Sequence, residues 1–247
     1  MLSPIPIPSL LITATDTGIG KTVIAAAIAQ ALRRQGHQVA VFKPCGSGCV
    51  LRREGLVSED AEFLAHCADA RHPLDLICPQ RYAEPLAPAI AAQRSGRPLD
   101  WDSIDRSIRL MSRDSDVMIV EGIGGILVPM DEKRTFLDVA AELQAPAVVV
   151  ARPALGTINH TLLTLQALRS RNIPIAGVVI NRYPTDTPGL AEETNPRAIE
   201  NWGNVPILAI VPDSPLPKGI SPNPIPSAIA DAVKAVDWAR FAGLAAS

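Results

Sequence analysis

The chain has 247 residues, enough for one large domain or two small ones at about 100–200 residues per domain. Its 23 Lys and Arg residues nearly balance 25 Asp and Glu residues, which gives a formal net charge of -2. This balance argues against nucleic acid or an anionic membrane as a partner, because proteins that bind them carry a clustered basic excess. With 47% hydrophobic and 19% charged residues, the composition is that of a folded protein.

Cysteine usage and the N-terminal residues predict a cytoplasmic protein. Four cysteines in a chain of this length do not form a disulfide framework, and their spacing does not match a zinc knuckle. We therefore expect free thiols at Cys45, Cys49, Cys67 and Cys78. The first eight residues contain three prolines and no basic residue, unlike a secretory signal peptide. No apolar stretch approaches the roughly 20 residues that span a bilayer.

Short β-branched apolar runs alternate with Ala- and Leu-rich helical stretches along the chain. The runs predict strands at about 10–13, 39–42, 116–121, 146–151, 175–181 and 207–211. The other stretches predict helices at about 21–35, 58–67, 102–113, 159–171 and 227–241. Because the strands are continuously apolar, we expect a doubly wound, mostly parallel α/β sheet with helices on both faces. Ligands of such sheets bind at the carboxyl ends of the strands.

A cluster of prolines lies between residues 212 and 226, just before the last predicted helix. Pro-rich segments between two regular elements are typical of ordered loops or lids as well as of linkers. We interpret this one as a loop or lid within the fold. Residues 1–247 are therefore expected to form a single domain.

Residues 14–22, Ala-Thr-Asp-Thr-Gly-Ile-Gly-Lys-Thr, follow the first strand and open the first helix. This context is typical of a phosphate-binding P-loop, in which backbone N–H groups and the helix N-terminus bind phosphate oxygens. Gly18 and Gly20 allow the backbone to approach the anion. Lys21 supplies a positive charge, and Thr22 offers a hydroxyl to magnesium. Thr15 stands where the strict consensus has glycine, so an ordinary strand–turn–helix remains the alternative.

Charged side chains end two further strands. Glu121 ends the strand at 116–121, and an acid there beside a P-loop usually holds magnesium. The alternative is an acid that caps the following turn. Lys43 follows the strand at 39–42 and could stabilise charge on a transferring phosphoryl group, or could be a solvated lysine. On their own, Asp60, Asn159 and His160 are typical of helix starts.

Seven short segments, in this order along the chain, resemble the dethiobiotin synthetases, ATP-dependent carboxylases of the biotin pathway. They are residues 15–22, 43–44 with 47–48, 60–61, 83–88, 121–125, 156–160 and 179–181. The matching region extends from about residue 10 to residue 213. Each segment alone is a weak signal, whereas the ordered set is specific. The resemblance implies a P-loop NTPase-type ligase domain.

The resemblance implies a nucleotide site made from several segments. The ATP phosphates would be bound by Gly18, Ile19, Gly20, Lys21, Thr22 and Val23, and the nucleotide would also contact Gly122, Ile123 and Gly124. Asn181 would recognise adenine, with help from Arg182, Val211, Pro212 and Asp213. Mg²⁺ would be held by Thr22, Asp60 and Glu121. The catalytic groups would be Lys43, Lys21 and Thr17.

The resemblance also implies the substrates and the assembly. Ser47 would contact the substrate. The helix start formed by Gly156, Thr157, Ile158 and Asn159 would bind the substrate carboxylate across a homodimer interface. The implied reaction joins 7,8-diaminopelargonate, carbon dioxide and ATP into dethiobiotin, ADP and phosphate.

Three positions depart from the family pattern, and one rival class shares the P-loop. Ala14 replaces a glycine, Ile123 replaces an alanine, and Arg182 stands where an acid is common; none of these removes a reacting group. The rival is a nucleotide-switched partition or septum-positioning ATPase, ParA- or MinD-like, which acts as a binding module. Such proteins carry a signature lysine five residues before the P-loop lysine, where this chain has Asp16.

Overall fold

Ten strands and ten helices make up the part of the chain that the computed structural model describes, residues 1–216 and 225–245. The strands are β1 (Ser9–Ala14), β2 (Val39–Phe42), β3 (Cys45–Gly46), β4 (Val50–Arg52), β5 (Gly55–Val57), β6 (Gln80–Arg81), β7 (Val117–Glu121), β8 (Ala147–Ala151), β9 (Ile175–Tyr183) and β10 (Ile207–Pro212). The helices are α1 (Lys21–Arg34), α2 (Glu59–Ala68), α3 (Leu74–Ile77), α4 (Pro88–Ser95), α5 (Trp101–Met111), α6 (Phe136–Leu143), α7 (Thr157–Ser170), α8 (Leu190–Gly203), α9 (Ser227–Lys234) and α10 (Trp238–Ala242).

The six predicted strands form one parallel sheet, in the order β10-β9-β8-β1-β7-β2. Every residue of β1, β2, β7 and β8 is buried, so both faces of the sheet are covered. This confirms the α/β fold class, because only strands enclosed on both faces need to be apolar throughout. All six strands point the same way, so their carboxyl ends meet along one edge.

Register brings the ends of three neighbouring strands to the same level. Ile12 of β1 pairs with Glu121 of β7, and Phe42 of β2 pairs with Val120 of β7. The phosphate-loop segment after β1 and Lys43 after β2 therefore start on either side of Glu121. This register is what concentrates charged groups at one place on the edge.

Capping side chains explain where two of the helices near this edge begin. Ser58 is the N-cap of α2, and its hydroxyl oxygen accepts a hydrogen bond from the backbone N–H of Ala61 at 3.3 Å. This start places Asp60 in the first turn of α2. Gly156 is the N-cap of α7, so that helix begins at Thr157, two residues before the predicted start.

The predicted helix at 227–241 is wrong, because two helices, α9 and α10, occupy that segment. Asp237 interrupts it and starts α10 by accepting a hydrogen bond from the backbone N–H of Arg240 at 3.1 Å. Four helices were not predicted at all: α3, α4, α6 and α8. Two small sheets, β3–β6 and β4–β5, are additional. The proline-rich loop proposed at 212–226 falls partly on residues 217–224, which lie outside the described residues.

The four cysteines are free, as expected, and all four are buried. Burial raises the pKa of Cys67 and Cys78 to about 12. No helix in the described ranges is long and apolar enough to cross a membrane.

The C-terminal helices pack onto the first half of the chain, which supports the proposal of a single domain. α9 and α10 both contact α1, and α10 also contacts β1. Trp238 of α10 is completely buried, and its indole N–H donates to the carbonyl oxygen of Val233 at 2.7 Å.

Truncating Trp238 tests this packing. Trp238→Ala should lower the free energy of unfolding by about 3–5 kcal/mol, because it removes a large buried side chain. The control Trp202→Ala should change it by less than about 0.5 kcal/mol, since Trp202 is 79% exposed. Urea unfolding followed by circular dichroism measures both. Two separate unfolding transitions in the wild-type protein would contradict the single-domain proposal.

Candidate active site

The segment between β1 and α1 has the geometry of a phosphate-binding loop. Gly18 and Gly20 take left-handed backbone angles, with φ of 74° and 94°. Gly20 is the N-cap of α1 and has no side chain to bond the N–H groups of the first helical turn. That turn contains Lys21, Thr22 and Val23. Its N–H groups have no acceptor within the helix, and together with the helix dipole they favour an anion.

Lys21 is buried at the start of α1 with only 7% of its surface exposed. Burial lowers its pKa, and the Glu121 carboxylate opposes that shift without reversing it. The ammonium lies 3.5 Å from the backbone carbonyl oxygen of Asp16. In the rival ATPase class a lysine would occupy position 16; here it is Asp16, whose charge raises the pKa of Lys21, whereas the charge of Lys43 lowers it.

Lys43 forms ion pairs with two carboxylates at once. Its ammonium nitrogen lies 2.9 Å from Asp60 Oδ2 and 3.1 Å from Glu121 Oε1. The alternative of a solvated lysine is wrong, because Lys43 is only 4% exposed. Burial alone would lower the pKa of Lys43, but Glu121 and then Asp60 outweigh it and hold the pKa above its ordinary value. A charged ammonium is therefore fixed at the sheet edge.

Glu121 links this lysine to the phosphate loop. The hydroxyl of Thr22 donates to Glu121 Oε1 at 2.7 Å, the same oxygen that faces Lys43. The other carboxylate oxygen, Oε2, is buried and has no hydrogen-bond partner within the described ranges. Burial raises the pKa of Asp60, but Lys43, Thr22 and Lys21 together pull it below its ordinary value. Both acids therefore contact the Lys43 ammonium beside the start of α1.

This cluster fits a magnesium ion. Mg²⁺ takes oxygen ligands, keeps several waters and needs only one or two protein carboxylates. Thr22, Asp60 and Glu121 supply a hydroxyl and two carboxylates, and Glu121 Oε2 is an unsatisfied buried acceptor. A buried carboxylate oxygen without a partner is costly, so a cation that it could bind is a physical explanation for it.

The glycine-rich loop after Glu121 packs tightly against its neighbours. A Cβ atom on Gly122 would lie 2.6 Å from Phe136 Cε1. A Cβ on Gly124 would lie 2.6 Å from Val128 Cγ2 and 3.3 Å from Thr17 Oγ1. Thr17 is therefore next to Gly124, which brings this loop into contact with the phosphate loop. Ile123, between the two glycines, packs partly buried on the core.

The ends of β9 and β10 approach the phosphate loop from the other side of β1. The amide Nδ2 of Asn181 donates to the backbone carbonyl oxygen of Ile19 at 2.8 Å. The backbone N–H of Asp213 donates to the carbonyl oxygen of Tyr183 at 2.9 Å, which joins the two strand ends. Arg182 is exposed and has a left-handed φ of 58°. Val211 is buried in β10, and Pro212 is the last residue of that strand.

The proposed substrate residues are not all in one place. Ser47 lies in the bend after β3, where the N–H of Gly48 donates to the carbonyl oxygen of Glu84 at 3.1 Å. The segment 156–159 instead follows β8. In the strand order, β8 and β2 are separated by β1 and β7, a lateral distance of roughly 14 Å at 4.8 Å per strand. Within one chain, Gly156 and Lys43 therefore follow strands that lie three positions apart in the sheet.

The comparisons with known proteins decide the family. A family described as an AAA domain matches residues 8–219. The ATP-dependent dethiobiotin synthetase of Anaeromyxobacter dehalogenans strain 2CP-C is 43% identical over 182 residues, covering 73% of this chain and 80% of that protein. The chain belongs to the ATP-dependent dethiobiotin synthetase family. Family members from Bacillus cereus strain ATCC 14579 (39% identical, 81% of each chain) and Thermodesulfovibrio yellowstonii (36%, covering 81% of this chain and 87% of that protein) agree.

Solved structures show how widely this dethiobiotin synthetase fold is shared. A ParA family ATPase from Chlorobium tepidum TLS matches with a TM-score of 0.57 at 18% identity, covering 94% of this chain and 98% of that chain. The septum site-determining protein MinD from Pyrococcus horikoshii matches with a TM-score of 0.54 at 16% identity, covering 96% and 94%. At these identities the likeness shows the P-loop NTPase fold alone. Family membership rests on the dethiobiotin synthetases.

Sequence reasoning missed how the predicted residues are joined. The double ion pair of Lys43 and the bond from Asn181 to Ile19 connect residues far apart in the chain. Apart from the resemblance, the sequence signal for Lys43 and Glu121 is that each lies at the end of a buried strand. The resemblance marks Asn181, but nothing in the sequence signals its contact with Ile19, because that contact depends on how the end of β9 reaches the phosphate loop past β8.

Adding a methyl group at Gly124 tests the packing of the loop on the phosphate loop. Gly124→Ala should be markedly destabilising, because the new Cβ clashes with Val128 and presses on Thr17. Gly96→Ala is the matched control: its φ of 64° resembles the 58° of Gly124, but nothing lies within 4 Å of a Cβ there. In both variants an alanine must adopt a left-handed backbone conformation, which lowers the free energy of unfolding by about 1–2 kcal/mol.

The difference between the two variants isolates the clash. We expect urea denaturation to show Gly124→Ala less stable than Gly96→Ala by about 1–3 kcal/mol. Equal free energies of unfolding would mean that the loop is not held against Thr17 and Val128.

Proposed function

We propose that this protein joins 7,8-diaminopelargonate, carbon dioxide and ATP into dethiobiotin, ADP and phosphate. Membership of the dethiobiotin synthetase family supports the activity, an ATP-dependent ring-closing ligase of biotin biosynthesis. The observation that carries the proposal in this chain is the ammonium of Lys43, held by Glu121 and Asp60 beside the phosphate loop. We place the reaction in the cytoplasm.

The chemistry explains why the enzyme needs ATP and charged groups rather than a nucleophile. One amine of the substrate adds to carbon dioxide and forms a carbamate, which cannot release an oxide ion. Transfer of the γ-phosphoryl group to a carbamate oxygen makes a carbamic–phosphoric anhydride. The second amine then attacks the carbonyl carbon, phosphate leaves, and the cyclic urea closes.

The side chains at the sheet edge suit the phosphoryl transfer. Catalysis of this step consists mainly of positioning and of neutralising the phosphoryl oxygens. Lys21 and Lys43 supply positive charge, and Thr17 of the phosphate loop lies next to Gly124 of the 122–124 loop. Magnesium, held by Thr22, Asp60 and Glu121, would neutralise phosphate charge when bound. Residues 18–23 would bind the phosphates through backbone N–H groups.

The nucleoside part of ATP would lie beyond the phosphate loop, toward β9 and β10. Asn181, Arg182 and the segment Val211, Pro212, Asp213 form the ends of those strands. We propose that Asn181 contacts the adenine base from there. Gly122, Ile123 and Gly124 flank the phosphates on the opposite side of β1.

The separation between Lys43 and the helix start at Gly156 supports a homodimer. The N-terminus of α7 favours a carboxylate, but within one chain it lies about three strands from Lys43. A second copy would place its residues 156–159 over the site, with Ser47 contacting the substrate from the first copy. Leu155 and Leu163, which are 85% and 57% exposed, would then be covered at the interface.

A product assay tests the proposed reaction. Purified protein with ATP, Mg²⁺, bicarbonate and 7,8-diaminopelargonate should give dethiobiotin, detected by mass, and omission of the diamine should abolish it. Lys43→Met should lower turnover at least about 100-fold, because a charge on the transferring group is left unneutralised. The exposed control Lys234→Met should leave turnover unchanged. ATP hydrolysis that is independent of the diamine, with no dethiobiotin formed, would contradict the proposal.

Isotope transfer tests the anhydride in the same assay. The carbamate oxygen that accepts the phosphoryl group leaves with phosphate, so carbon dioxide labelled with ¹⁸O should deliver one ¹⁸O atom to the phosphate product. Phosphate without label would rule out the proposed intermediate.

A further inference from the structure

Asn181 holds the backbone of the phosphate loop. Its side chain is buried, with 4% of the residue exposed, and its amide Nδ2 donates to the carbonyl oxygen of Ile19 at 2.8 Å. Asn181 belongs to β9, and Ile19 lies 162 positions earlier in the loop after β1. The bond therefore ties the loop to a strand that is not next to β1 in the sheet.

The contact also fixes the neighbouring residue. A Cβ atom on Gly20 would collide with Asn181 Nδ2, so the amide packs directly against the Cα of this glycine. Gly20 has a left-handed φ of 94° and is the N-cap of α1. The Asn181 amide thus lies against the peptide that determines how the loop enters the helix.

Because the peptide bond is planar, the contact between Asn181 and Ile19 also determines where the next N–H group points. The carbonyl of Ile19 and the N–H of Gly20 belong to one trans peptide, so they point in opposite directions. When Asn181 holds the carbonyl, the N–H of Gly20 must point away from Asn181. A free loop could rotate this peptide, and each such rotation would remove one N–H from the set that binds phosphate.

We propose that Asn181 is a positioning residue for the phosphate loop, which it holds in the phosphate-binding conformation before any ligand arrives. This role is separate from contact with the adenine base, and it extends to ligands that have no base. It rests on the proposed phosphate-binding role of residues 18–23. Pre-organisation of this kind improves affinity by removing the cost of ordering the loop on binding.

Inorganic tripolyphosphate separates the two roles, because it has phosphates and no base. The variant Asn181→Leu keeps a side chain of similar size without the donor, and Asn181→Ala removes it without overfilling the site. Isothermal titration calorimetry at fixed Mg²⁺ should show that both variants bind tripolyphosphate about tenfold more weakly than the wild type. A tenfold loss of affinity corresponds to the free energy of about one net hydrogen bond. Circular dichroism would confirm that each is folded.

Asn195→Leu is the matched control. Asn195 is equally buried, and its Nδ2 donates to the backbone carbonyl oxygen of Pro153 at 2.7 Å, away from the phosphate loop. This variant should lose thermal stability comparably to Asn181→Leu but bind tripolyphosphate within about twofold of the wild type. A tenfold loss in Asn195→Leu would show that the effect is general destabilisation and would overturn the proposal.

The remaining outcomes are also decisive. If both Asn181 variants bind tripolyphosphate as well as the wild type while ATP binding weakens, Asn181 contacts the base only and the positioning role is wrong. If the wild-type protein itself binds no tripolyphosphate, the phosphate-binding role of residues 18–23 fails first, and the inference fails with it.

Discussion

The buried ion pair between Lys43 and Glu121 constrains the rest of the site. Both side chains are almost fully enclosed, Lys43 at 4% and Glu121 at 1% exposed. Removing either charge from water is expensive, and the pair is tolerable only because each neutralises the other. The parallel register of β2 and β7 leaves the two strand ends side by side, so the pairing follows from the sheet. Asp60 from α2 and Thr22 from α1 complete the polar shell.

The conformation of the phosphate loop likewise depends on contacts with several elements. Lys21 and Thr22 begin α1, Thr17 lies against the 122–124 loop, and Asn181 holds the peptide between Ile19 and Gly20. Groups from α1, from the loop after β7 and from β9 therefore determine the shape of a short loop. A site built this way needs little reorganisation when a triphosphate binds, which is what electrostatic stabilisation of phosphoryl transfer requires.

Much of this arrangement could be predicted from the sequence, because buried parallel strands are continuous apolar runs. These runs predict all six strands of the main sheet, and Lys43 and Glu121 are charged residues at the ends of two of them. Without the resemblance, Asp60 is indistinguishable in the sequence from an ordinary first-turn acid, since its partner Lys43 is brought close only by the fold. The double ion pair was likewise invisible, because it depends on tertiary packing.

The missed helices have separate physical reasons. Pro196 lies inside α8, where proline normally breaks a helix, so the sequence argued against it. α6 had a usable signal: Thr135 and Asp138 form a capping box just before an apolar run. The predicted last helix is interrupted at Asp237, because its side chain caps the start of α10 and this hydrogen bond competes with continuation of α9.

A double-mutant cycle on Lys43 and Glu121 tests the central claim most directly. Urea unfolding of the wild type, Lys43→Met, Glu121→Gln and the double variant gives the four free energies of unfolding. Each single change should cost about 3–5 kcal/mol, since it leaves a buried charge without its partner. The double variant should cost less than the sum by more than about 1 kcal/mol. Costs that add to within about 0.5 kcal/mol would show that the two groups do not depend on each other, and would contradict the account.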